Sequence, residues 1–172
     1  MRKHGLLLLM ALSIAASATA QTKLTGKVHC AKPDPDYSIE VGDQPGHVLT
    51  ARKAACTWKE GMEIAGLKVK AAQDIATGEV TGATVRDTGY HVATMDNGDM
   101  YTVRFNGTAM MAKDKTGTIT GKWTFVSGTG KLKGIKGGGT YKGTAAADGS
   151  ADVDVVGDYT LPAKTTAPAP TK

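Results

Sequence analysis

Three histidines follow the first twenty residues, and histidine is the side chain best suited to proton transfer near neutral pH: His29, His47 and His91. None of them forms His-x-x-x-His or His-Glu-x-x-His, so the spacing predicts no zinc site. His47 begins one expected strand and His91 lies within another. If both faced one lumen, they could orient a polar ligand or transfer a proton. The alternative, which we favour, is two separate half-exposed histidines. We assign no catalytic residue.

The chain has two cysteines, Cys30 and Cys56. Two cysteines in an exported chain most simply form one disulfide. Closing a loop of this length stabilises a fold by about 3 kcal/mol in the chain-entropy account. A metal site that combines a cysteine with His29 is the alternative, and the spacing supports it poorly.

Two loops resemble ion-binding or phosphate-binding motifs. Residues 128–131 read Gly-Thr-Gly-Lys, but a phosphate loop needs Gly-x4-Gly-Lys-Ser/Thr between a strand and a helix, and more strand follows here. Residues 96–99 read Asp-Asn-Gly-Asp, but a calcium loop would need further acids and a distal glutamate. A glycine corner and a hairpin turn are the favoured interpretations. The sequence therefore predicts no metal and no cofactor.

Large aromatic side chains recur at alternating positions of the expected strands. Tyr101 and Phe105 share one face of a strand, and Trp123 opens another. They either fill a core or line a pocket for a small lipophilic molecule, and the two cases look alike in sequence. The predicted ligand-binding set joins these aromatics to the two strand histidines: His47, His91, Tyr101, Phe105 and Trp123.

The elements that carry these residues are predicted to be strands. Glycine makes up 22 of 172 residues, about twice the usual ~7%. All six prolines lie near the ends, and none occurs between residues 46 and 161. Proline is confined to sheet edges and bulges, so this proline-free stretch is typical of strands that are paired on both sides. We therefore predict an all-β fold.

About eight strands are expected, which favours a closed antiparallel barrel with a lumen that holds side chains or one small ligand. Asn97-Gly98 is the strongest hairpin signal in the chain. At 62–75 a strand with a bulge at Gly66 competes with a helix, and we favour the strand. The expected strands are 37–41, 47–58, 62–75, 90–95, 100–108, one that contains Trp123, 140–144 and 150–160. Residues 21–35 are expected to be an irregular lead-in, and the glycines of 128–139 a crossing between strands.

The two ends of the chain are predicted to lie outside the domain. Residues 1–20 combine Arg2 and Lys3 with an apolar run and a small-x-small site, which predicts a signal peptide and export to the periplasm or beyond. Residues 21–161 form the expected domain, and 162–172 a disordered tail rich in Pro, Ala, Thr and Lys.

The net charge and the hydropathy of the chain limit which classes of partner the sequence indicates. Of the 21 basic residues two lie in the leader, so 19 remain against 16 acidic ones, a net charge of +3. This value is too small to indicate a nucleic-acid partner. No membrane span is expected, because the apolar run of the leader is shorter than the ~20 residues that a spanning helix needs. The sequence does not indicate the oligomeric state.

One stretch, 122–159, resembles a known group of barrels. It carries Trp123-x-Phe125, then Gly128-Thr-Gly-Lys-Leu-Lys-Gly-Ile-Lys-Gly137, then Gly-x-Tyr141. These motifs resemble the allene-oxide-cyclase-like and dirigent-like barrels, in particular uncharacterised exported bacterial proteins with that calycin-type barrel. The resemblance implies an antiparallel eight-stranded barrel. No functional residue of the plant proteins is carried over.

Three functions remain open. The first is a binding module for a small lipophilic molecule in the lumen, which needs an open cavity. The second is an isomerase or cyclase that uses a histidine or an acid in the lumen. The third is a structural or surface-interaction protein with a filled barrel.

Overall fold

The computed structural model describes residues 21–59 and 62–163. The predicted leader, 1–20, and residues 164–172 of the predicted tail lie outside the described residues. Ten strands are present: β1 Thr22–Cys30, β2 Asp36–Glu40, β3 Val48–Trp58, β4 Glu63–Ile64, β5 Leu67–Thr81, β6 Thr84–Met95, β7 Met100–Met111, β8 Gly117–Gly128, β9 Lys136–Ala145 and β10 Ala151–Thr160. The one helical element in the described ranges is a single 3-10 turn, Gly130–Leu132. No helix in these ranges is long and apolar enough to cross a membrane.

Eight of these strands close a barrel, and every pairing is antiparallel. From β5 to β10 each strand pairs with the next, β10 returns to β1, β1 pairs with β3, and β3 pairs with β5. β2 extends the wall beside β3 at one end, and β4 is a short hairpin partner of β5. The predicted all-β, calycin-like barrel of about eight strands is confirmed.

Alternation places one face of each strand in the lumen. On β7, Tyr101 and Val103 are buried while Arg104 is exposed. On β8, Trp123 and Phe125 are buried while Lys122 is exposed. Side chains of a strand point to opposite faces with a period of two, so the aromatic positions point inward and the charged positions meet solvent.

The hairpin between β6 and β7 forms where it was predicted. Gly98 has a φ of +88°, a region that glycine adopts without a steric penalty. The backbone N–H of Met95 donates to the carbonyl of Asp99 at 2.7 Å, which closes the turn. The Asn97 side chain donates to the Asp99 carboxylate at 2.8 Å, so the acidic side chain that could have met calcium serves the turn.

The predicted irregular lead-in is wrong for Thr22–Cys30, which forms β1. This strand pairs with β10 over nine residues, and Leu24 and Val28 are buried in the lumen. Its alternation is weak in sequence because the inward position between them is Gly26. The Trp58 ring of β3 lies over that position: a Cβ at Gly26 would come 2.7 Å from the ring.

The change of face near Gly66 has a different cause from the predicted bulge. Ala65 and Gly66 form the turn of the β4–β5 hairpin, with φ values of +55° and +74°. A bulge does occur further along, where the β5 register shifts between Val69 and Ala71. The strand that we favoured over a helix is confirmed for this segment.

The glycine crossing is shorter than predicted. It ends at Gly134, whose φ is +79°, and the run Gly137–Gly139 lies inside β9. Gly139 pairs with Trp123 across the β8–β9 ladder. A Cβ at Gly157 of β10 would come 2.5 Å from Trp123 Cζ2. Gly157 therefore leaves space for an inward ring, whereas a Cβ at Gly139 would meet the backbone of β10.

The same arrangement recurs around the barrel, and we call it glycine–ring packing. A Cβ added at Gly89 would lie 2.7 Å from Phe105 Cζ. The Tyr141 ring lies over Gly107 and Gly121 in the same way. An aromatic ring can thus lie flat against the neighbouring strands instead of crossing the lumen. At one end the barrel is closed by a cluster of fully buried side chains that includes Ile64, Met95 and Leu132.

Candidate functional site

The lumen contains a cavity of about 250 Å³. Beyond the closed end it runs along the barrel towards the opposite rim, where Pro33, Met111 and Gly149 line it. Strands β8 and β10 contribute an apolar wall, with Ile119, Trp123, Phe125, Val153 and Val155. Strands β3, β5 and β6 contribute a wall that carries polar groups, with Arg52, Trp58, Asp74, Asp87 and His91. The cavity is therefore amphipathic.

Four of the five predicted site residues line this cavity: His91, Tyr101, Phe105 and Trp123. The fifth, His47, lies outside it, next to the turn that joins β2 to β3. Its Nδ1 is 2.6 Å from the Asp43 carboxylate and its Nε2 is 2.9 Å from that of Glu79. These hydrogen bonds, first that of Glu79 and then that of Asp43, raise the pKa of His47. The two strand histidines do not meet in one lumen, and the ligand role of the four lining residues stays a prediction.

His91 is the histidine of the cavity, and it is nine-tenths buried on β6. It pairs directly with Asp74 across the β5–β6 ladder, and its Nδ1 lies 2.6 Å from Asp74 Oδ1. A carboxylate accepts hydrogen bonds, so Nδ1 carries the proton of the neutral ring and Nε2 presents a lone pair. Nε2 is buried and has no hydrogen-bond partner among the described residues.

Two more polar atoms beside His91 are buried without a hydrogen-bond partner in the part of the chain that the structure describes. They are Trp58 Nε1 and Tyr101 Oη, on rings whose centroids lie 5.9 Å and 6.0 Å from that of His91. Burial raises the pKa of Tyr101, and the nearby Trp58 indole opposes this, although no hydrogen bond of normal geometry joins the two. An unsatisfied buried polar atom costs about 1–3 kcal/mol, so a polar ligand group or a water molecule that bonded to these atoms would be stabilised in the cavity.

Nearer the open rim, Arg52 forms an ion pair with Asp87. Burial raises the pKa of Asp87, and the guanidinium of Arg52 partly offsets that effect. Asp87 Oδ1 remains buried, with no hydrogen-bond partner within residues 21–59 and 62–163. Tyr141 lies close by, and its pKa is raised by burial first and by the charge of Asp87 second. The negative charges of Asp87 and, less strongly, of Asp74 therefore act on Tyr141 inside the lumen.

Cys30 and Cys56 form the predicted disulfide, which joins β1 to β3. Cys30 Sγ lies 3.5 Å from Asp74 Oδ2, so the disulfide adjoins the carboxylate of the cavity. The two sulfurs are bonded to each other, which leaves no thiolate for the alternative metal site. His29 contacts Asp152 at 3.1 Å on the outer surface instead.

The loop at 128–131 has a structural role. The backbone N–H of Lys131 donates to Asp99 Oδ2 at 2.9 Å, and Met100 N–H donates to Thr129 Oγ1 at 2.8 Å. The loop is thus bound to the β6–β7 hairpin. Hydrogen bonds from Asn97 and then Lys131 lower the pKa of Asp99.

Sequence reasoning missed the polar wall, that is Arg52, Asp74 and Asp87. In sequence, Asp74 lies between Ala72 and Ala76 in a weakly alternating strand, and the bulge at 69–71 changes which positions face inward. The available signal was positional: Asp87 and His91 are four residues apart, which places both on one face of a strand.

Together, the closed eight-stranded antiparallel barrel and its amphipathic lumen define a dirigent-like fold. Two pterocarpan synthase dirigent proteins share it. PsPTS1 is 16% identical, with 82% of this chain and 95% of that chain covered and a TM-score of 0.50. GePTS1 is 16% identical, with 91% and 98% covered and a TM-score of 0.51. The resemblance predicted from the late strands is thereby confirmed for the fold.

A conserved protein of unknown function from Rhodopseudomonas palustris is also similar, at 10% identity over 84% of this chain and 99% of its own, with a TM-score of 0.46. No protein-family profile matches the chain. No curated protein matches it.

Proposed function

We propose that the protein binds one small, mainly apolar molecule in the lumen of its barrel. The observation that carries this proposal is the amphipathic cavity of about 250 Å³, in which three polar atoms on adjacent rings have no hydrogen-bond partner among the described residues. Ligand pockets typically combine apolar walls with a few placed polar groups. A barrel that served only as a filled scaffold would gain nothing from leaving these atoms unsatisfied.

The cavity volume sets the size of the ligand. An apolar cavity of about 150 Å³ takes up benzene, which has six non-hydrogen atoms. In proportion, about 250 Å³ holds roughly ten such atoms. One aromatic ring with a short polar chain fits this limit. At about 0.5 kcal/mol per atom, a nine-atom ligand would bind with a Kd near 1 mM or somewhat below.

The test is a titration of the purified protein with 2-phenylethanol, followed by tryptophan fluorescence and calorimetry. Trp58 and Trp123 both line the cavity, so their emission reports its occupancy. Ala76 lies on the lumen side of β5, and Ala76→Leu should fill the cavity and abolish binding. The matched control is Thr77→Leu, which places the same leucine side chain at the adjacent exposed position. Equal binding by both variants would contradict a lumenal site.

Proton-transfer catalysis is a second candidate, and one specific observation favours it. The Asp74–His91 pair presents Nε2 of an oriented imidazole beside the cavity, an arrangement that suits a general base. An isomerase or cyclase of this kind would need a substrate whose acidic C–H or O–H meets that nitrogen. Substrate-dependent exchange of a ligand proton in D₂O, lost in His91→Gln, would test for it.

Export is part of the same proposal. The signal peptide predicted at 1–20 and the disulfide between Cys30 and Cys56 both suit an oxidising compartment. Intact mass measurement of the protein recovered outside the cytoplasm should show a chain that begins at Gln21. Recovery of the full-length chain only from the cytoplasm would contradict export.

A further inference from the structure

The charges that line the cavity do not balance. Its charged side chains in the described ranges are Arg52, Asp74 and Asp87, so two carboxylates face one guanidinium. With His91 neutral, the formal charge of the lining is −1. The chain as a whole has the opposite sign, with 21 basic against 16 acidic residues. The lumen is therefore an acidic site inside a basic protein.

The excess charge belongs to one residue. Arg52 is paired with Asp87, which compensates both groups. The only basic side chain that contacts Asp74 among the described residues is His91, whose imidazole donates from Nδ1 and is a cation only when protonated. Its other oxygen, Oδ2, lies 3.5 Å from Cys30 Sγ, and a disulfide sulfur has no hydrogen to donate. Asp74 is also 29% exposed, so its carboxylate is accessible from the cavity.

The surroundings of Asp74 suit a cation in two further respects. The faces of aromatic rings attract ammonium groups. Six Trp, Tyr and Phe rings line the cavity: Trp58, Tyr101, Phe105, Trp123, Phe125 and Tyr141. The unpartnered buried atoms include two that accept hydrogen bonds, His91 Nε2 and Tyr101 Oη.

The negative charge of Asp74 also acts on the ionisation of the two tyrosines that line the cavity. Burial raises the pKa of both Tyr101 and Tyr141, and the negative charge of Asp74 raises both further. Burial is the larger cause and disfavours any charge in this lumen, whereas the carboxylates of Asp74 and, at Tyr141, Asp87 add a smaller effect that acts against an anion alone.

We propose that the ligand is a small organic cation, with a primary or secondary ammonium group on an apolar body of about one ring, and that the ammonium group binds at Asp74. This inference rests on the proposed lumenal binding and adds the charge of the ligand. Asp74 supplies the counter-charge, the rings of Trp58 and Tyr101 beside His91 flank the ammonium group, and the apolar wall of β8 and β10 contacts the ring of the ligand.

The experiment compares three ligands of one shape and different charge at pH 7: 2-phenylethylamine, 2-phenylethanol and phenylacetate. Calorimetry gives the three affinities for the unaltered mature protein. We expect the amine to bind at least about tenfold more tightly than the alcohol, because a hydrogen bond from an ammonium group to a carboxylate is stronger than one between neutral groups. The acid should bind most weakly.

The variant Asp74→Asn removes the charge and keeps the shape. It should weaken the amine by about tenfold and leave the alcohol unchanged. The matched control is Asp154→Asn, which removes an exposed carboxylate on the outer face of β10 and should change neither affinity. The ligand series on the unaltered protein stands even if Asp74→Asn does not fold.

The outcomes separate the two proposals. An alcohol that binds as tightly as the amine would overturn the cation inference and leave lumenal binding intact. Tightest binding by phenylacetate would overturn it as well, in favour of an anion site. If none of the three ligands binds, both the inference and the proposed function are wrong.

Discussion

Removing the hydroxyl of Tyr101 should stabilise the empty protein, although this side chain is only 2% exposed in the core. The hydroxyl is buried and has no hydrogen-bond partner among the described residues, so folding removes it from water without compensation. Such a group costs about 1–3 kcal/mol. Tyr101→Phe deletes that cost and leaves a void of a single oxygen atom, so we expect a gain of about 1 kcal/mol.

Tyr159 provides a control with the same chemical change and the opposite expectation. It is similarly buried, at 7% exposed, but its hydroxyl accepts a hydrogen bond from the backbone N–H of Ala65 at 3.0 Å. Tyr159→Phe loses this bond and leaves the N–H without its acceptor, which should cost about 1 kcal/mol. The two variants should therefore differ by about 2 kcal/mol in the free energy of unfolding.

Urea denaturation of the ligand-free protein, followed by circular dichroism, measures both values. The m-values should match that of the unaltered protein, because neither change alters the surface exposed on unfolding. A loss of 1 kcal/mol or more in Tyr101→Phe would refute the reasoning. It would mean that the hydroxyl has a partner in the folded state, for example an ordered water molecule in the cavity.

Three further predictions concern stability. Gly26→Ala places a Cβ 2.7 Å from the ring above it and should cost about 1–3 kcal/mol in urea denaturation. Replacing both Cys30 and Cys56 by alanine opens a loop of sequence separation 26 and should cost about 3–4 kcal/mol. His47 has a raised pKa, chiefly through Glu79, so its stabilising effect should be complete below about pH 6.5 and should fall as the pH rises through the raised pKa. The stability difference between the unaltered protein and His47→Gln should shrink over that interval, and NMR titration of the imidazole gives the pKa itself.

Each of these measurements has its own control. Lys27→Ala, at the neighbouring outward position of β1, should change the unfolding free energy by no more than ~0.5 kcal/mol. In dithiothreitol the stability of the unaltered protein should approach that of the double cysteine variant. A titration of His47 at or below pH 6.5 would contradict the hydrogen bonds seen to Asp43 and Glu79.

Local patterns predicted the barrel well where side-chain alternation and turn chemistry agree. The strand with Tyr101, Val103 and Phe105 alternates between apolar and polar side chains. Asn97-Gly98 predicts the hairpin turn before it. Prediction failed for β1, because that strand is defined by its pairing with the distant β10 and has a glycine at a central inward position. Contacts between the two ends of a chain leave little local signal.

The candidate site was predictable in its apolar half and not in its polar half. The aromatic residues Tyr101, Phe105 and Trp123 stand out in sequence, and all three line the cavity. Asp74 does not stand out, since a carboxylate in a strand is usually solvent-exposed. Its inward position follows from a bulge three residues earlier in β5 and from its cross-strand pairing with His91. Both features arise from tertiary structure.

Glycine–ring packing links the evolution of neighbouring strands. Because the Trp58 ring occupies the space over Gly26, a larger residue in place of Gly26 fits best together with a smaller one in place of Trp58. Exchanging a ring and its glycine across the two strands would relocate empty volume within the barrel without altering the outer surface. Homologues whose barrels differ in internal volume should therefore differ by such coupled exchanges, a covariation that comparative sequencing can detect.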